Sequence, residues 1–378
     1  MKIAMFTDTF IPNINGIVTS ILNSSEALAK RDHKIYIFTA KPKQKEYITK
    51  DLSNNISVFY HRRIKIVNYP DFQLAMPGFI DTITKIKKIK PDIIHIHTPS
   101  FLGWSALLAA KIFKIPVVGT YHTLLPEFTE YLPLLRFNKN LAKKLIWNYT
   151  KKFYNLCDVI TTPSTAMKKE LINNNIKKPI HFLSNGVDIN KFHPIKIKKN
   201  KNTIIHVGRI GYEKSIDVLL KAFKELLNIN RNAKLVIAGN GPDLEKLKSF
   251  SKELEINKNV KFLGSVNHSK LPFLYCSAEI FVTASTIETE GLVVLEAMAC
   301  GLSIIGVNSM AIPNIVKNNK NGFISKPGDY KIMAKNINRL LNNKELNHKF
   351  SDNSLKLVQN YSLTSVIDKL ERLYSSFN

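Results

Sequence analysis

The sequence predicts an α/β protein of two doubly wound halves that face each other across a cleft. Three observations carry that expectation. Short apolar runs alternate with helix-period stretches along the chain, the runs fall into two series of similar length, and a lysine-rich stretch separates them. In the first half, strands are expected near residues 2–7, 34–39, 92–97, 116–120 and 157–162. In the second they are expected near 203–207, 234–238, 260–263, 279–283 and 303–307. Lys191-Phe192-His193-Pro194 and the solvated run Lys196 to Lys201 read as a linker, which gives domains at 1–197 and 198–358. The remaining segment, 359–378, holds an amphipathic helix near 362–376 that is expected to return to the first half. In open parallel sheets ligands gather outside the carboxyl ends of the strands, so the loops that follow them should carry the chemistry.

With 378 residues, 44% hydrophobic and 22% charged, the composition is that of a globular protein with ample core. The net charge of +26 is unusual. Arginine occurs only at 31, 62, 63, 136, 209, 231, 339 and 372, so lysine supplies most of the charge. Heavy use of Lys, Ile and Asn makes part of it compositional. Nucleic acid and anionic membrane are the polyanions to consider; no nucleic-acid module is present and scarce arginine disfavours base readout, so nucleic acid is not an expected partner. Cys157, Cys276 and Cys300 lie in apolar contexts without metal or disulfide spacing, which suits a reducing cytoplasm. Met1 to Phe6 leads directly into a strand pattern and Asp8, unlike a signal peptide, and no apolar run reaches the ~20 residues of a spanning helix. The expectation is a soluble protein or one that lies on a membrane surface.

The most informative stretch runs from Ser285 to Gly301. A short buried helix should open at Gly291, and a helix start offers free N–H groups and partial positive charge to a phosphate. Glu288 precedes that start and Glu296 lies about 1.5 turns into the helix, so carboxylates flank an anion position and can grip hydroxyls on either side of a diphosphate. Val207-Gly208-Arg209-Ile210 and Glu213-Lys214 follow a strand, and Arg209 and Lys214 supply a fork and a point charge suited to a diphosphate. Ala238-Gly239-Asn240-Gly241-Pro242 reads as an architectural turn.

In the first half, Thr7-Asp8-Thr9-Phe10 ends a strand, and Pro12-Asn13-Ile14-Asn15-Gly16 forms a turn where Gly16 lets backbone approach an anion, without dinucleotide spacing. His95 and His97 share one face of a strand, but no further ligand completes a metal set. His122 follows the next strand at the same edge and should look into the cleft.

Taken together, these segments resemble glycosyltransferase family 4, retaining enzymes with the GT-B fold of two Rossmann-like domains. The resemblance runs nearly end to end and is densest from Ser184 to Gly306, through Asn185-Gly186-Val187-Asp188, Gly208-Arg209, Glu213-Lys214, Gly239-Asn240-Gly241-Pro242 and the glutamate pair. It implies that Arg209 and Lys214 hold a donor diphosphate with backbone at Gly16, Gly291 and Leu292. It also implies that Glu296 binds ribose and Glu288 the transferred sugar, with His122 beside sugar and acceptor; His122 and Glu288 are then the candidate catalytic residues. The first domain would take the acceptor and the second the nucleotide-sugar. The chain departs from the family in three places: Asn15-Gly16 replaces a double glycine, Ser215 stands where glycine often follows the lysine, and Met310-Ala311-Ile312-Pro313-Asn314 replaces Gly-Gly-x-Pro-Glu, so that its glutamate is missing.

Paired carboxylates also occur in glycosidases. A nucleoside diphosphate already leaves well, so the need is charge stabilisation rather than a general acid, and the glutamates read as binding groups. Retention implies attack from the leaving-group face with the diphosphate as base, without metal or cofactor. For the acceptor, the segment Arg136 to Tyr154 places Ala142, Ile146, Tyr149 and Phe153 on one helical stripe. Trp147 lies beside it and Lys139, Lys143, Lys144, Lys151 and Lys152 around it, as suits an anionic membrane surface. The same pattern equally suits a helix that packs its stripe inward. Residues from Phe59 to Phe79 add basic and apolar character.

Gly16-Ile17-Val18-Thr19-Ser20 and Thr120-Tyr121-His122-Thr123 with Glu127 resemble the branch that glycosylates diacylglycerol, which puts Glu127 on the acceptor side. The expected activity is transfer of glucose or galactose from UDP-glucose or UDP-galactose to 1,2-diacylglycerol, by a cytoplasmic protein held peripherally on the inner face of the cell membrane. A polysaccharide or polyprenyl-linked acceptor, a sugar-nucleotide epimerase on the same fold, and a non-catalytic basic binding protein are the alternatives.

Overall fold

The computed structural model describes residues 1–13, 15–42, 52–65, 73–76, 78–127 and 138–377. The chain divides into two compact units, Met1–Gly186 with Val366–Asn378, and Val187–Ser365. Strands of the first unit are β1 (Lys2–Phe6), β2 (Lys34–Ala40), β3 (Ile56–His61), β4 (Arg63–Lys65), β5 (Gln73–Ala75), β6 (Ile93–Ile96), β7 (Val117–Thr120), β8 (Val159–Thr162) and β9 (Ile180–Phe182). Seven form a parallel sheet in the order β3-β2-β1-β6-β7-β8-β9, and β4 pairs antiparallel with β5. The second unit contains β10 (Thr203–Val207), β11 (Lys234–Ala238), β12 (Val260–Gly264), β13 (Ile280–Val282), β14 (Ser303–Val307) and β15 (Gly322–Ser325), in the parallel order β12-β11-β10-β13-β14-β15.

These strands are continuous apolar runs because both faces are covered. In the second unit, Ile204, Ile280, Val282, Ile305 and Val307 enter one core cluster, whereas the alternating Ile205, Val207, Phe281 and Ile304 enter another. Helices therefore pack on both sides of the sheet. Strand order reverses at β1, between β2 and β6, and at β10, between β11 and β13. The loops leaving β1 and β10 are thus at the switch points where such sheets take ligands. The fold is that of two Rossmann-like α/β units, as the sequence led one to expect.

All ten strands anticipated from the sequence are present. The unanticipated ones are the edge strands β3, β9 and β15 and the β4–β5 ribbon. The second unit begins at Val187 rather than at residue 198. Val187 and Phe192 are buried in its core, and the following segment bonds along it through Ile195 N to Cys276 Sγ and Asn200 N to Ser277 O. The final helix, Leu363–Ser375, puts Tyr374 against His95, and its Asp368 and Glu371 on Arg31.

All three departures noted above replace glycine, and at two of them the backbone keeps the glycine geometry. Ser215 (φ 48°) and Met310 (φ 47°) both adopt the left-handed conformation natural to glycine, so the glycine geometry persists while the residue does not. Ser215→Gly is expected to raise the stability of the second unit by about 0.5–1 kcal/mol, because relief of left-handed strain exceeds the added chain entropy. Urea unfolding measures this; a variant less stable than the parent contradicts it.

Candidate functional site

In the second unit, three strand-end loops meet at the β10 switch point. Gly239 and Gly241, after β11, let that turn pack on the loop after β10: a Cβ at Gly239 would lie 1.7 Å from Gly208 O, and one at Gly241 2.1 Å from Ile210 O. Gly208 N and Ile210 N donate to Ala238 O and Asn240 O, which fixes the loop carrying Arg209 and Lys214. Lys214 follows on a single 3-10 turn, Tyr212–Lys214.

The loop after β13 brings in Glu288. Its Oε1 lies 2.6 Å from Lys214 Nζ, with the two side chains 9% and 16% exposed. At this shielding the charges attract far more than in bulk water. Ser285 Oγ donates to Glu213 O, tying the loops after β10 and β13 together, and Ala311 N, from the loop after β14, donates to Glu288 O. Gly291 (φ 86°) is the N-cap of the buried helix Leu292–Ala299, as the sequence predicted, so Gly291 and Leu292 present a helix start beside the Lys214–Glu288 pair. Beneath lies His206, buried, whose Nδ1 bonds Val282 O. Burial pushes its pKa down to about 4, Lys214 adds to the lowering, and the Val282 bond and Glu288 oppose it.

Glu296 sits one turn inside the helix, almost fully buried. Tyr275 donates to its Oε2 at 2.8 Å and His268 Nε2 stands 3.4 Å from its Oε1. Lys191 Nζ lies 2.6 Å from His268 Nδ1. Nothing in the sequence pointed to Tyr275, His268 or Lys191, which are far from Glu296 along the chain.

In the first unit, Asn15 caps the helix Gly16–Ala29 by accepting from Val18 N. A Cβ on Gly16 would meet nothing within 4 Å among the described residues. Asp8, also at the β1 switch point, is buried and accepts from Thr98 Oγ1 and Ala75 N; burial raises its pKa despite these bonds. His97 Nδ1 and His122 Nε2 are 2.9 Å apart, and Ser20 donates to Asn185 Oδ1. Burial lowers the pKa of His122 to about 4, with Asn185 opposing. His122 is therefore a neutral imidazole near pH 7, held in place by hydrogen bonds. His95 has both ring nitrogens engaged, with Tyr374 and Thr120. Among the described residues no group of three or more His, Cys, Asp or Glu could hold a metal ion.

The basic helix is Lys139–Tyr154. Ala142 and Phe153 are buried and Ile146 half-buried, so the expected stripe partly packs inward. Tyr149 is exposed, with its hydroxyl donating to Pro99 O and accepting from Trp104. Trp147 is half-buried against Tyr121. Leu141 and Leu145 are 52% and 53% exposed, flanking exposed Lys144, with Lys152 exposed further along. Lys143 pairs with Glu127 at 2.7 Å, and Lys151 is half-buried. Arg136, the side chain of Lys139, Ile14 and most of the stretch between Lys65 and Phe79 lie outside the described residues. No helix among the described residues is long and apolar enough to cross a membrane.

Comparison with known proteins bears on the family and the fold. Residues 14–191 match the model of Glycosyltransferase Family 4, and 188–357 that of Glycosyl transferases group 1. The chain is 28% identical to the alpha-monoglucosyldiacylglycerol synthase of Acholeplasma laidlawii, over 99% of this chain and 96% of that one. It is 25% identical to a GDP-mannose-dependent alpha-mannosyltransferase of Corynebacterium glutamicum, over 88% and 78%. Among solved structures it resembles the sucrose-phosphate synthase of Thermosynechococcus elongatus, with a TM-score of 0.83 at 18% identity over 99% and 98% of the two chains. With both halves matched and the two-unit fold shared, the chain belongs to glycosyltransferase family 4, with the GT-B fold.

Proposed function

We propose that this glycosyltransferase moves glucose or galactose from a UDP-sugar to 1,2-diacylglycerol at the cytoplasmic face of a membrane, with retention of configuration. On the donor side, Arg209, Lys214 and the N–H groups at Gly291 and Leu292 stabilise the charge that develops on the departing diphosphate. Glu296 accepts from ribose hydroxyls and Glu288 from those of the hexose. The acceptor hydroxyl attacks from the face the diphosphate leaves, and a diphosphate oxygen takes its proton. His122, neutral at pH 7, positions the sugar by hydrogen bonding rather than as an acid. Neither metal nor cofactor enters this scheme.

One observation carries the lipid side: Leu141 and Leu145 stand exposed among lysines on a single helix, an arrangement that suits an anionic bilayer surface. Glu127 pairs with Lys143 of that helix, which supports an acceptor-side role for it on this reading. The relatedness to a diacylglycerol glucosyltransferase supports the same reading. A GDP-mannose donor is the second reading, favoured by the mannosyltransferase relative.

The test supplies labelled UDP-glucose, UDP-galactose or GDP-mannose with diacylglycerol vesicles, with and without anionic lipid. One UDP-hexose is expected to give an extractable monoglycosyl lipid, faster on anionic vesicles. Leu141→Ser with Leu145→Ser should weaken vesicle binding about 30-fold, as covering the exposed parts of the two leucines together contributes about 2 kcal/mol. Ile229→Ser, exposed on the second unit, serves as the control and should leave binding unchanged. No glycolipid from either UDP-hexose sinks the proposal, and product from GDP-mannose alone favours the second reading.

A further inference from the structure

Glu296 is the residue read above as the ribose-binding carboxylate, and what surrounds it is more than a packing shell. Resting on that reading, we propose that Tyr275, His268 and Lys191 form a positioning relay that fixes the Glu296 carboxylate, and so sets the discrimination between a ribonucleotide and its deoxy counterpart.

The chemistry of the three groups dictates the direction of every bond. A lysine ammonium has only donors, so Lys191 Nζ, 2.6 Å from His268 Nδ1, must donate there. Nδ1 is then the acceptor nitrogen, and the ring proton sits on Nε2, which faces Glu296 Oε1 at 3.4 Å. Lys191 thus determines the tautomer that makes His268 a donor. Phe192 holds the same ring edge-on, its centroid 5.4 Å away. On the other side the Tyr275 hydroxyl, buried in the core, donates to Oε2 at 2.8 Å. Each carboxylate oxygen therefore has one protein donor and keeps a lone pair for an incoming hydroxyl. With both oxygens held, the carboxylate plane cannot rotate about its terminal torsion, which is otherwise soft. Its remaining lone pairs then keep a fixed direction, as vicinal hydroxyls of a ribose require.

The three residues come from separate places: Lys191 from the segment entering the second unit, His268 from the turn after β12, Tyr275 from the helix Leu271–Cys276. They converge on one carboxylate 4% exposed. Burial of a carboxylate at this depth is costly without such donors.

The experiment titrates the full chain with UDP and with 2′,3′-dideoxy-UDP, for the parent and for Tyr275→Phe, His268→Asn and Lys191→Met, with circular dichroism confirming each fold. The parent should prefer UDP by tenfold or more, the effect of losing hydrogen bonds to a charged group. In each variant UDP binding should weaken about five- to tenfold while dideoxy-UDP binding stays within about twofold, so the ratio collapses. A merely structural role would weaken both ligands together, and that outcome overturns the proposal, as does an unchanged ratio. Should the parent bind UDP but not discriminate, the ribose assignment of Glu296 fails instead. Should it not bind UDP at all, the UDP-donor reading fails, and the inference goes with it.

Discussion

Lys214→Ala is expected to lower kcat/KM for the nucleotide-sugar by about a thousandfold and to destabilise the second unit as well. Two separate losses combine. The first is catalytic: a cation at a water-poor helix start, aimed at the charge of a departing diphosphate, contributes about 3–4 kcal/mol to the barrier when removed. The second is structural, since Glu288 lies 2.6 Å from Lys214 with its side chain only 9% exposed, and alanine leaves that carboxylate without its ammonium. Breaking a shielded pair from one side costs about 3 kcal/mol, mostly the desolvation of the group left behind. The pairing makes the losses separable. Lys214→Met combined with Glu288→Gln removes both charges, so the double variant should regain most of the stability while its activity stays low. Lys214→Arg keeps a charge but changes its reach, and should fall between. Steady-state kinetics and urea unfolding on the four proteins read the two effects. A Lys214→Ala enzyme within tenfold of the parent rules out the diphosphate role.

That pair also shows how far the sequence reaches. Lys214 and Glu288 were each legible because they sit in motifs next to strands, where the order βα fixes which end a loop occupies. The helix start at Gly291 was legible for the same reason, as was the turn at Gly239 and Gly241, whose glycines prove to be demanded by backbone contact. Their direct contact was not legible, since it depends on strand order: β10 and β13 are neighbours although β11 and β12 intervene in sequence. The partners of Glu296 were hidden more deeply. Tyr275 and Lys191 resemble an ordinary core tyrosine and one more lysine in a chain full of them, and only three-dimensional convergence gives them a role.

Edge strands β9 and β15 escaped for a different reason: Ile180-His181-Phe182 and Gly322-Phe323-Ile324-Ser325 lack the unbroken apolar run that marks even so short a central strand as β13. On the basic helix, spacing placed Tyr149 on one stripe with Ala142 and Phe153, yet those two are buried while Trp104 and Pro99 hold the Tyr149 hydroxyl at the surface. The unit boundary was misjudged because lysines were read as solvated linker, although the isoleucines between them pack on the second unit's core.

Acidification should unfold the first unit ahead of the second. The first unit buries His95, whose pKa falls to about 3, His97, which is pushed well below its ordinary value, and His122, at about 4; burial is the leading cause in each, and the histidines also repel one another's charge at His95 and His97. His61 in the same unit is lowered too, by burial, with Asp81 opposing. The second unit has His206 alone among such resolved cases, at about 4. The sign follows from which state takes up protons. Below pH ~6.5 an unfolded chain protonates each of these rings, and the folded chain does not until pH ~4 or lower, so acid favours unfolding. The stability is fully present above ~6.5 and is lost as pH falls toward the folded values.

Each histidine contributes a slope approaching about 1.4 kcal/mol per pH unit, so three give about 4 in the first unit against about 1.4 in the second. A net stability of about 5–15 kcal/mol is then exhausted in the first unit a few pH units below neutrality. Asp8, with its pKa raised by burial, works in the opposite direction, but only near the carboxylate range. Both tryptophans, Trp104 and Trp147, belong to the first unit, so their fluorescence reports it selectively, while circular dichroism reports both. The fluorescence transition should come at higher pH, and His97→Gln should flatten its slope by about one proton. Stability that holds constant from pH 6.5 to 5, or a slope indifferent to that substitution, would refute the account. The same shifts bear on catalysis: wherever the first unit is folded His122 is neutral down to about pH 4. The acid limb of an activity profile should therefore follow loss of fold rather than titration of His122.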